Sequence, residues 1–158
     1  QMRMYGEYWD VASLQPPYNL LTRDAEKEEF PYCLSKRIGV LTYSSLYRGL
    51  LTGKYSPGQK LGDSRDQNEL FKGKALEIMM SGLKDLEPYT RKYGLTMAQL
   101  AIRWILTHPA VTSAIVGVKK PEHIEGIVAA AENILPVDDW NHIAGIVQSV
   151  KAKALASG

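Results

Sequence analysis

The segment GVLTYSSLYRGLLTGKY, residues 39–55, begins as a buried strand and ends as something else. Its first part, with the preceding Ile38, is a near-continuous apolar run, as expected of a parallel strand covered on both faces. From Tyr43 onward it offers Tyr, Ser, Arg, Thr and Lys, residue types that a strand end packed wholly into core does not need. The strand end is therefore expected to face a ligand. An aromatic ring beside hydroxyls and cations suits one that carries phosphates.

Working outward, VASLQPPYNLL predicts a short strand over residues 12–15, interrupted by Pro16 and Pro17, which cannot donate to a ladder. TRDAEKEEFPYCLSKRIG predicts a helix from residue 25, capped by Asp24 or Thr22, kinked or broken at Pro31 and stopped at Gly39. SPGQKLGDSRDQNE reads as a long loop, of the kind that serves a binding site or is disordered. A helical pattern over residues 70–93 places Leu76, Met79, Met80, Leu83 and Leu86 at spacings of three and four and is disturbed at Pro88. Thr96 with Gln99 three residues on is a capping-box signature, and Pro109 ends that helix. AVTSAIVG predicts a second buried strand closing on Gly117. Pro121 opens another helix, and a last amphipathic helix is expected over residues 138–151.

Apolar strands alternating with helices of crossover length define an α/β fold with a parallel sheet. Three such strands are too few for a closed barrel of this type, which uses eight. The expected architecture is thus a partial TIM (β/α)8 barrel, a half-barrel of about three parallel strands with flanking helices, in one domain over residues 1–158. Because the chain starts at Gln1, it is expected to be a fragment or a trimmed product. A half-barrel leaves sheet edges open, so self-association is a further expectation.

Composition narrows the partner. Net charge is +2 with acids and bases interspersed, which argues against nucleic acid and for a small ligand. The single cysteine, Cys33, suits a reducing compartment and reads as a helix residue without a redox role. No apolar run is long enough to span a bilayer and the N-terminus lacks a signal-peptide pattern, so the expected location is the cytoplasm. No His/Cys cluster has metal spacing, and neither a nucleophile elbow nor a GxGxxG fingerprint is present.

In α/β proteins ligands gather at the C-terminal ends of strands. Three such ends are legible: residues 15–19, residues 43–54 and residues 117–121. The third combines a glycine, Lys119, Lys120 and a helix start, which together describe an anion site. Of the histidines, His108 sits at a helix end where it can meet the C-terminal dipole, His142 lies on the last helix, and only His123 is near the third end.

The stretches SLQPPYNLL, YSSLYRGLLTGKY, GDSR, YGLTMAQLAIRWILTHPAVTSAIVG and PEHIEGIVAA, in this order and spacing, closely resemble the C-terminal half of the aldo-keto reductases, NADP(H)-dependent (β/α)8 barrels. The resemblance covers nearly the whole chain and makes the three strands the sixth, seventh and eighth of the barrel. It implies that Gln15 bonds the nicotinamide carboxamide and that the nicotinamide stacks on Tyr43. Ser44, Ser45, Leu46, Arg48, Gly49, Thr52 and Lys54 match the segment that wraps the pyrophosphate, and Arg65 the loop that folds over it. Gly117, Lys119 and His123 match positions around the adenosine 2′-phosphate and adenine.

The departures are specific. Many members carry Tyr-Ser-Pro-Leu-Ala where this chain has Tyr43-Ser44-Ser45-Leu46-Tyr47. At the adenine end, where Gln…Glu-Asn is usual, the matching positions are His123, Gly126 and Ile127. The family's catalytic Asp, Tyr, Lys and His come from the first four strands, so the resemblance implies no catalytic residue in this chain. The activity it implies is NADPH-dependent reduction of an aldehyde or ketone, with this chain supplying the cofactor-binding half. The alternatives are a non-catalytic nucleotide-binding or interaction module, similar to the aldo-keto-like subunits that accompany ion channels, and a self-associating half-barrel that binds nothing.

Overall fold

The computed structural model describes residues 9–56, 58–59, 61–118 and 120–157, together with 4 and 6. Three strands, β1 (Ser13–Leu14), β2 (Gly39–Thr42) and β3 (Ser113–Ala114), form one parallel sheet in the order β1-β2-β3. Ser13 pairs with Gly39 and Leu14 with Val40; on the other side Leu41 pairs with Ser113 and Thr42 with Ala114. The connections carry α1 (Glu29–Lys36) between β1 and β2, and α2 (Gly73–Leu83), α3 (Glu87–Tyr93) and α4 (Met97–Thr107) between β2 and β3. Helices α5 (Pro121–Val128) and α6 (Val137–Leu155) follow β3. The expected α/β class, with three parallel strands and flanking helices, is what the chain forms.

Strands β1 and β3 are shorter than their apolar runs suggested, because side chains and prolines replace part of the ladder. At one edge the Val40 N–H donates to the Thr112 hydroxyl at 3.1 Å rather than to a carbonyl. At the other, Pro16 and Pro17 interrupt β1, yet the Tyr43 N–H still reaches the Pro16 carbonyl at 3.1 Å and the Tyr18 N–H reaches the Tyr43 carbonyl at 3.2 Å. Proline cannot donate but can accept, so the pairing resumes beyond the break.

The helix expected from residue 25 is two pieces, a 3-10 turn at Asp24–Glu26 and then α1. Neither Asp24 nor Thr22 caps them; Arg23 and Glu28 occupy the two N-cap positions without side-chain capping bonds. Pro31 falls in the first turn of α1, where its missing N–H costs nothing, so the break lies before it. The stop, at Arg37, is also two residues earlier than Gly39. Arg37 takes the left-handed conformation (φ 55°), and the Ile38 N–H closes the helix on the Cys33 carbonyl at 2.9 Å. The residues 70–93 pattern resolves into α2, a 3-10 turn at Lys84–Leu86 and α3, with Pro88 at the start of α3. The capping box at α4 forms as expected, with Thr96 N–H to Gln99 Oε1 at 2.8 Å and Gln99 N–H to Thr96 Oγ1 at 3.3 Å. Helix α6 is longer at both ends than the expected span.

Between the sheet and α1, α2, α4 and α6 lies one core, built around Tyr18, Phe30, Leu50, Leu76, Met79, Leu100, Trp104, Ile143 and Val147, all essentially inaccessible. Each such large apolar side chain contributes roughly 1.5–3 kcal/mol on burial. Cys33 is part of this core, and burial pushes its thiol up, in keeping with a packing role. Among the described residues no helix is long and apolar enough to cross a membrane.

Candidate functional site

The C-terminal ends of the strands open onto one side, and the loop after β2 dominates it. Tyr43 follows β2 directly. Its backbone is held by the Pro16 and Tyr18 pairing described above, while the residue remains 45% exposed, unusual for a large aromatic at the end of a buried strand. Gln15, at the end of β1, is likewise exposed.

Past Tyr43 the backbone turns through conformations that L-residues avoid. Ser44 (φ 59°), Tyr47 (φ 45°) and Arg48 (φ 54°) are left-handed, followed by Gly49 (φ 89°). Each such non-glycine position costs on the order of 1–3 kcal/mol and persists only where surroundings over-determine it. Here they do. Asn19, fully buried, donates from Nδ2 to the Ser44 carbonyl at 3.0 Å, while its Oδ1 accepts from the N–H groups of Leu21 and Thr22 at 2.8 and 3.0 Å. Ser45, 3% exposed, donates its hydroxyl to the Ile115 carbonyl at 2.8 Å and so ties the loop to the end of β3. The Leu46 carbonyl accepts from Gly49 and Leu51, and the Thr52 hydroxyl donates to the Gly49 carbonyl at 2.7 Å. The hydroxyls of Ser45 and Thr52 thus hold the loop itself, with the loop in turn displaying its cations.

Two of the cations, Lys54 and Arg65, meet at one side chain that sequence reasoning passed over, Tyr55, which also holds the Arg48 backbone. Its hydroxyl donates to the Arg48 carbonyl at 2.8 Å and accepts from Arg65 Nη1 at 2.6 Å. Lys54 Nζ lies 5.4 Å and Arg65 Cζ 5.6 Å from its ring centroid. The Arg48 guanidinium reaches the Ser64 hydroxyl at 3.1 Å. Asp63 binds Arg65 from the far side, Oδ2 to Nη2 at 2.6 Å, and the same N-cap carboxylate accepts the Arg65 N–H at 2.9 Å. These bonds to Arg65 draw the Asp63 carboxyl down to about 2. The only signal for Tyr55 in the sequence was its place at the end of the strand-and-loop motif, and for Asn19 its place just after the two prolines.

The third strand end is less convergent. Gly117 is exposed, and a Cβ there would meet no atom within 4 Å, so packing does not demand glycine. Lys119 lies outside the described residues. Lys120 and His123 are exposed at the start of α5. The residues expected around a pyrophosphate, Ser44, Ser45, Leu46, Arg48, Gly49, Thr52, Lys54 and Arg65, therefore share one loop cluster, whereas Gly117 and His123 stand on a separate edge joined to it through the Ser45 bond.

The histidine expected at a helix end is the C-cap residue of α4. His108 is half-buried, its Nδ1 accepts from the Ala110 N–H at 3.1 Å, and its ring packs on Phe30, Tyr18 and Trp140. Burial holds its pKa below the ordinary histidine value, outweighing the nearby Glu26 carboxylate, which would raise it. His142 is exposed, with Nδ1 2.6 Å from the Tyr89 hydroxyl. Among the described residues no group of three or more His, Cys, Asp or Glu is arranged to hold a metal.

Comparison with known proteins places this geometry. The aldo/keto reductase family model matches residues 1–148. The aldo-keto reductase YhdN of Bacillus subtilis is 31% identical, over 94% of this chain and 46% of its own length. A probable voltage-gated potassium channel subunit beta of Arabidopsis thaliana is 36% identical, over 78% of this chain and 38% of its own. The structure of the glycerol dehydrogenase AKR11B4 from Gluconobacter oxydans superposes with a TM-score of 0.83 at 29% identity, over 97% of this chain and 46% of that one. This chain thus spans about half the length of the relatives it matches. With the family model, the relatives and the superposed fold in agreement, the chain belongs to the aldo/keto reductase family.

Proposed function

We propose that the loop after β2 and the two neighbouring strand ends bind a nicotinamide dinucleotide, and that this chain is the cofactor-binding part of an NADP(H)-dependent carbonyl reductase. The observation that carries this reading is the pairing of an exposed, backbone-fixed aromatic, Tyr43, with Arg48 and Lys54 on one strained loop and Arg65 on the segment bonded to that loop through Tyr55. That donor set fits the cofactor: a planar ring for the nicotinamide, cations for the phosphates, and Gln15 for the carboxamide. Bound there, the dinucleotide would supply hydride chemistry. These residues would grip and orient it, while the proton donor for the carbonyl would come from sequence outside these 158 residues. Lys119 and Lys120, just before α5, favour NADP(H) over NAD(H) through a 2′-phosphate. We propose the cytoplasm as its location and one domain as its organisation.

Titration of the purified chain with NADPH and with NADH, followed by calorimetry, tests this. Saturable NADPH binding, tighter than NADH, lost in Tyr43→Ala and weakened in Lys119→Ala, is the expected result. A folded sample that binds neither nucleotide sinks it.

A second reading is favoured by one observation, the similarity to a potassium channel subunit beta. On that reading the chain binds the nucleotide as part of an interaction module. Tight NADPH binding by a longer protein that contains this chain, with no carbonyl turnover, would select it.

A further inference from the structure

Tyr55 stands outside the set of residues assigned to the nucleotide, yet Lys54 and Arg65 of that set lie against it and the Arg48 backbone is bonded to it. We propose that Tyr55 is a positioning residue whose hydroxyl and ring fix Arg65, beside Arg48 and Lys54, as a preformed grip for the dinucleotide phosphates. The inference rests on the reading of this loop as a dinucleotide site.

The first argument is how Arg65 is held. Its Nε and Nη2 are engaged by Asp63, and its Nη1 donates to the Tyr55 hydroxyl at 2.6 Å. A guanidinium carries five N–H groups in a fixed plane, so two-sided clamping sets the direction of those that remain. Without Tyr55 the side chain would pivot on Asp63 alone.

Rigidity of the post comes next. Tyr55 is 6% exposed, and its ring stands edge-on to Phe71 with centroids 5.5 Å apart at 74°. Phe71 stacks in turn on Tyr47, whose hydroxyl accepts from Asn68 at 3.0 Å. The post is thus locked into both the β2 loop and the segment that carries Arg65. Arg48 is secured at the same point, since its carbonyl accepts the Tyr55 proton at 2.8 Å.

Gly49 supplies a third argument. A Cβ at Gly49 would lie 2.9 Å from the Tyr55 oxygen, and its φ of 89° already disfavours any side chain. Glycine is required here because the hydroxyl must come close to the backbone. Lys54 and Arg65, both placed at the Tyr55 ring, repel one another, with Asp63 on Arg65 and Asp66 on the N–H groups of Leu61 and Gly62 as carboxylates of the same loop. A post that holds them together before a ligand arrives spares the ligand that ordering cost.

The test is calorimetric titration of the chain with NADPH and with adenosine 2′-monophosphate, which lacks the pyrophosphate. Tyr55→Phe keeps the ring and removes one charge-assisted bond, and should weaken NADPH about tenfold. Its affinity for adenosine 2′-monophosphate should stay within about twofold of the parent, as expected of an independent site. Arg65→Lys, a change at a side chain that is 25% exposed, keeps the charge but cannot span Asp63 and Tyr55, and should weaken NADPH to a similar degree. The double variant Tyr55→Phe/Arg65→Met should bind NADPH no more than about twofold more weakly than Arg65→Met alone, because one effect acts through the other. Parent-like NADPH binding by Tyr55→Phe or Arg65→Lys, proportional loss of both ligands, or additive effects in the double variant would each overturn the role of Tyr55. A parent chain that binds neither ligand would instead overturn the dinucleotide reading beneath it.

Discussion

Trp104 and Trp140 exchange hydrogen bonds: the indole N–H of each donates to the backbone carbonyl of the other, at 2.9 and 2.8 Å, with the rings stacked 5.1 Å apart and 6° from parallel. The exchange is possible because the last turn of α4 is tight. The His108 N–H takes the Ile105 carbonyl at 3.1 Å, which leaves the Trp104 carbonyl for the indole of α6. Arg23 lies over both rings, 5.3 and 5.6 Å from their centroids. Trp140→Phe removes a donor and strands a carbonyl near the core, and is expected to cost about 1–3 kcal/mol by thermal or denaturant unfolding. The same change should abolish the exciton signal of the stacked pair in circular dichroism. An unchanged spectrum would contradict the stacking.

Helix α5 has no buried side chain, so something other than apolar packing must hold it. Helix α4 does so with a polar edge spaced at one residue in four. Gln99 donates to the Gly126 carbonyl at 2.5 Å, Arg103 to those of Ala129 and Ala130 at 2.8 and 3.2 Å, and the Thr107 hydroxyl accepts the Leu135 N–H at 3.0 Å. Arg103 is 6% exposed, so Arg103→Met should destabilise by about 3 kcal/mol as the carbonyls lose charged donors. Hydrogen exchange should show α5 losing protection while α4 keeps it. Equal loss in both helices would argue against this role.

A close helix approach yields the third prediction. Gly82 of α2 lies against Val150 of α6, and a Cβ at Gly82 would overlap both γ-carbons of that valine. Gly82→Ala is therefore expected to lower stability by about 1–3 kcal/mol despite alanine's better helix propensity. Adding Val150→Ala should recover part of the loss. If Gly82→Ala raises the melting temperature, the two helices are not packed this closely.

The fourth concerns pH. Glu26 accepts from the Tyr18 hydroxyl at 2.6 Å and from Arg23 at 2.8 Å, beside the half-buried His108. Burial alone would raise the Glu26 pKa, but the bonds from Arg23 and Tyr18 outweigh it and hold it below the ordinary value. Burial lowers the pKa of His108. For both groups the unfolded chain takes up a proton at a higher pH than the folded one, so stability falls as pH falls. The histidine contribution should be fully present above about pH 6.5 and be lost below it, and the carboxylate contribution should be lost below about pH 4.3. Melting temperature measured from pH 7.5 to 5 should decline, and the decline should flatten in His108→Gln. A flat profile in the parent chain would refute the burial argument.

Much of the fold was legible because local patterns carried it. Apolar runs marked where β2 and β3 lie, the Thr96 and Gln99 spacing marked the start of α4, and the change of residue type at Tyr43 marked the open strand end. The break before α1 was visible through Pro31 but displaced, since proline is harmless in a first turn. The left-handed Arg37 carried no glycine to announce it.

By itself, then, the sequence determined the order of strands and helices, the family, and which strand end carries the loop of cations. Only the tertiary structure decided which of those side chains act together. Tyr55 becomes the post for Arg48 and Arg65, His108 a half-buried ring packed among aromatics, and Arg103 the holder of α5, because each depends on a partner brought near by packing rather than by spacing along the chain. Periodicity and capping report preferences that a few neighbouring residues express alone, whereas a hydrogen bond across elements exists only once the core has set their distance.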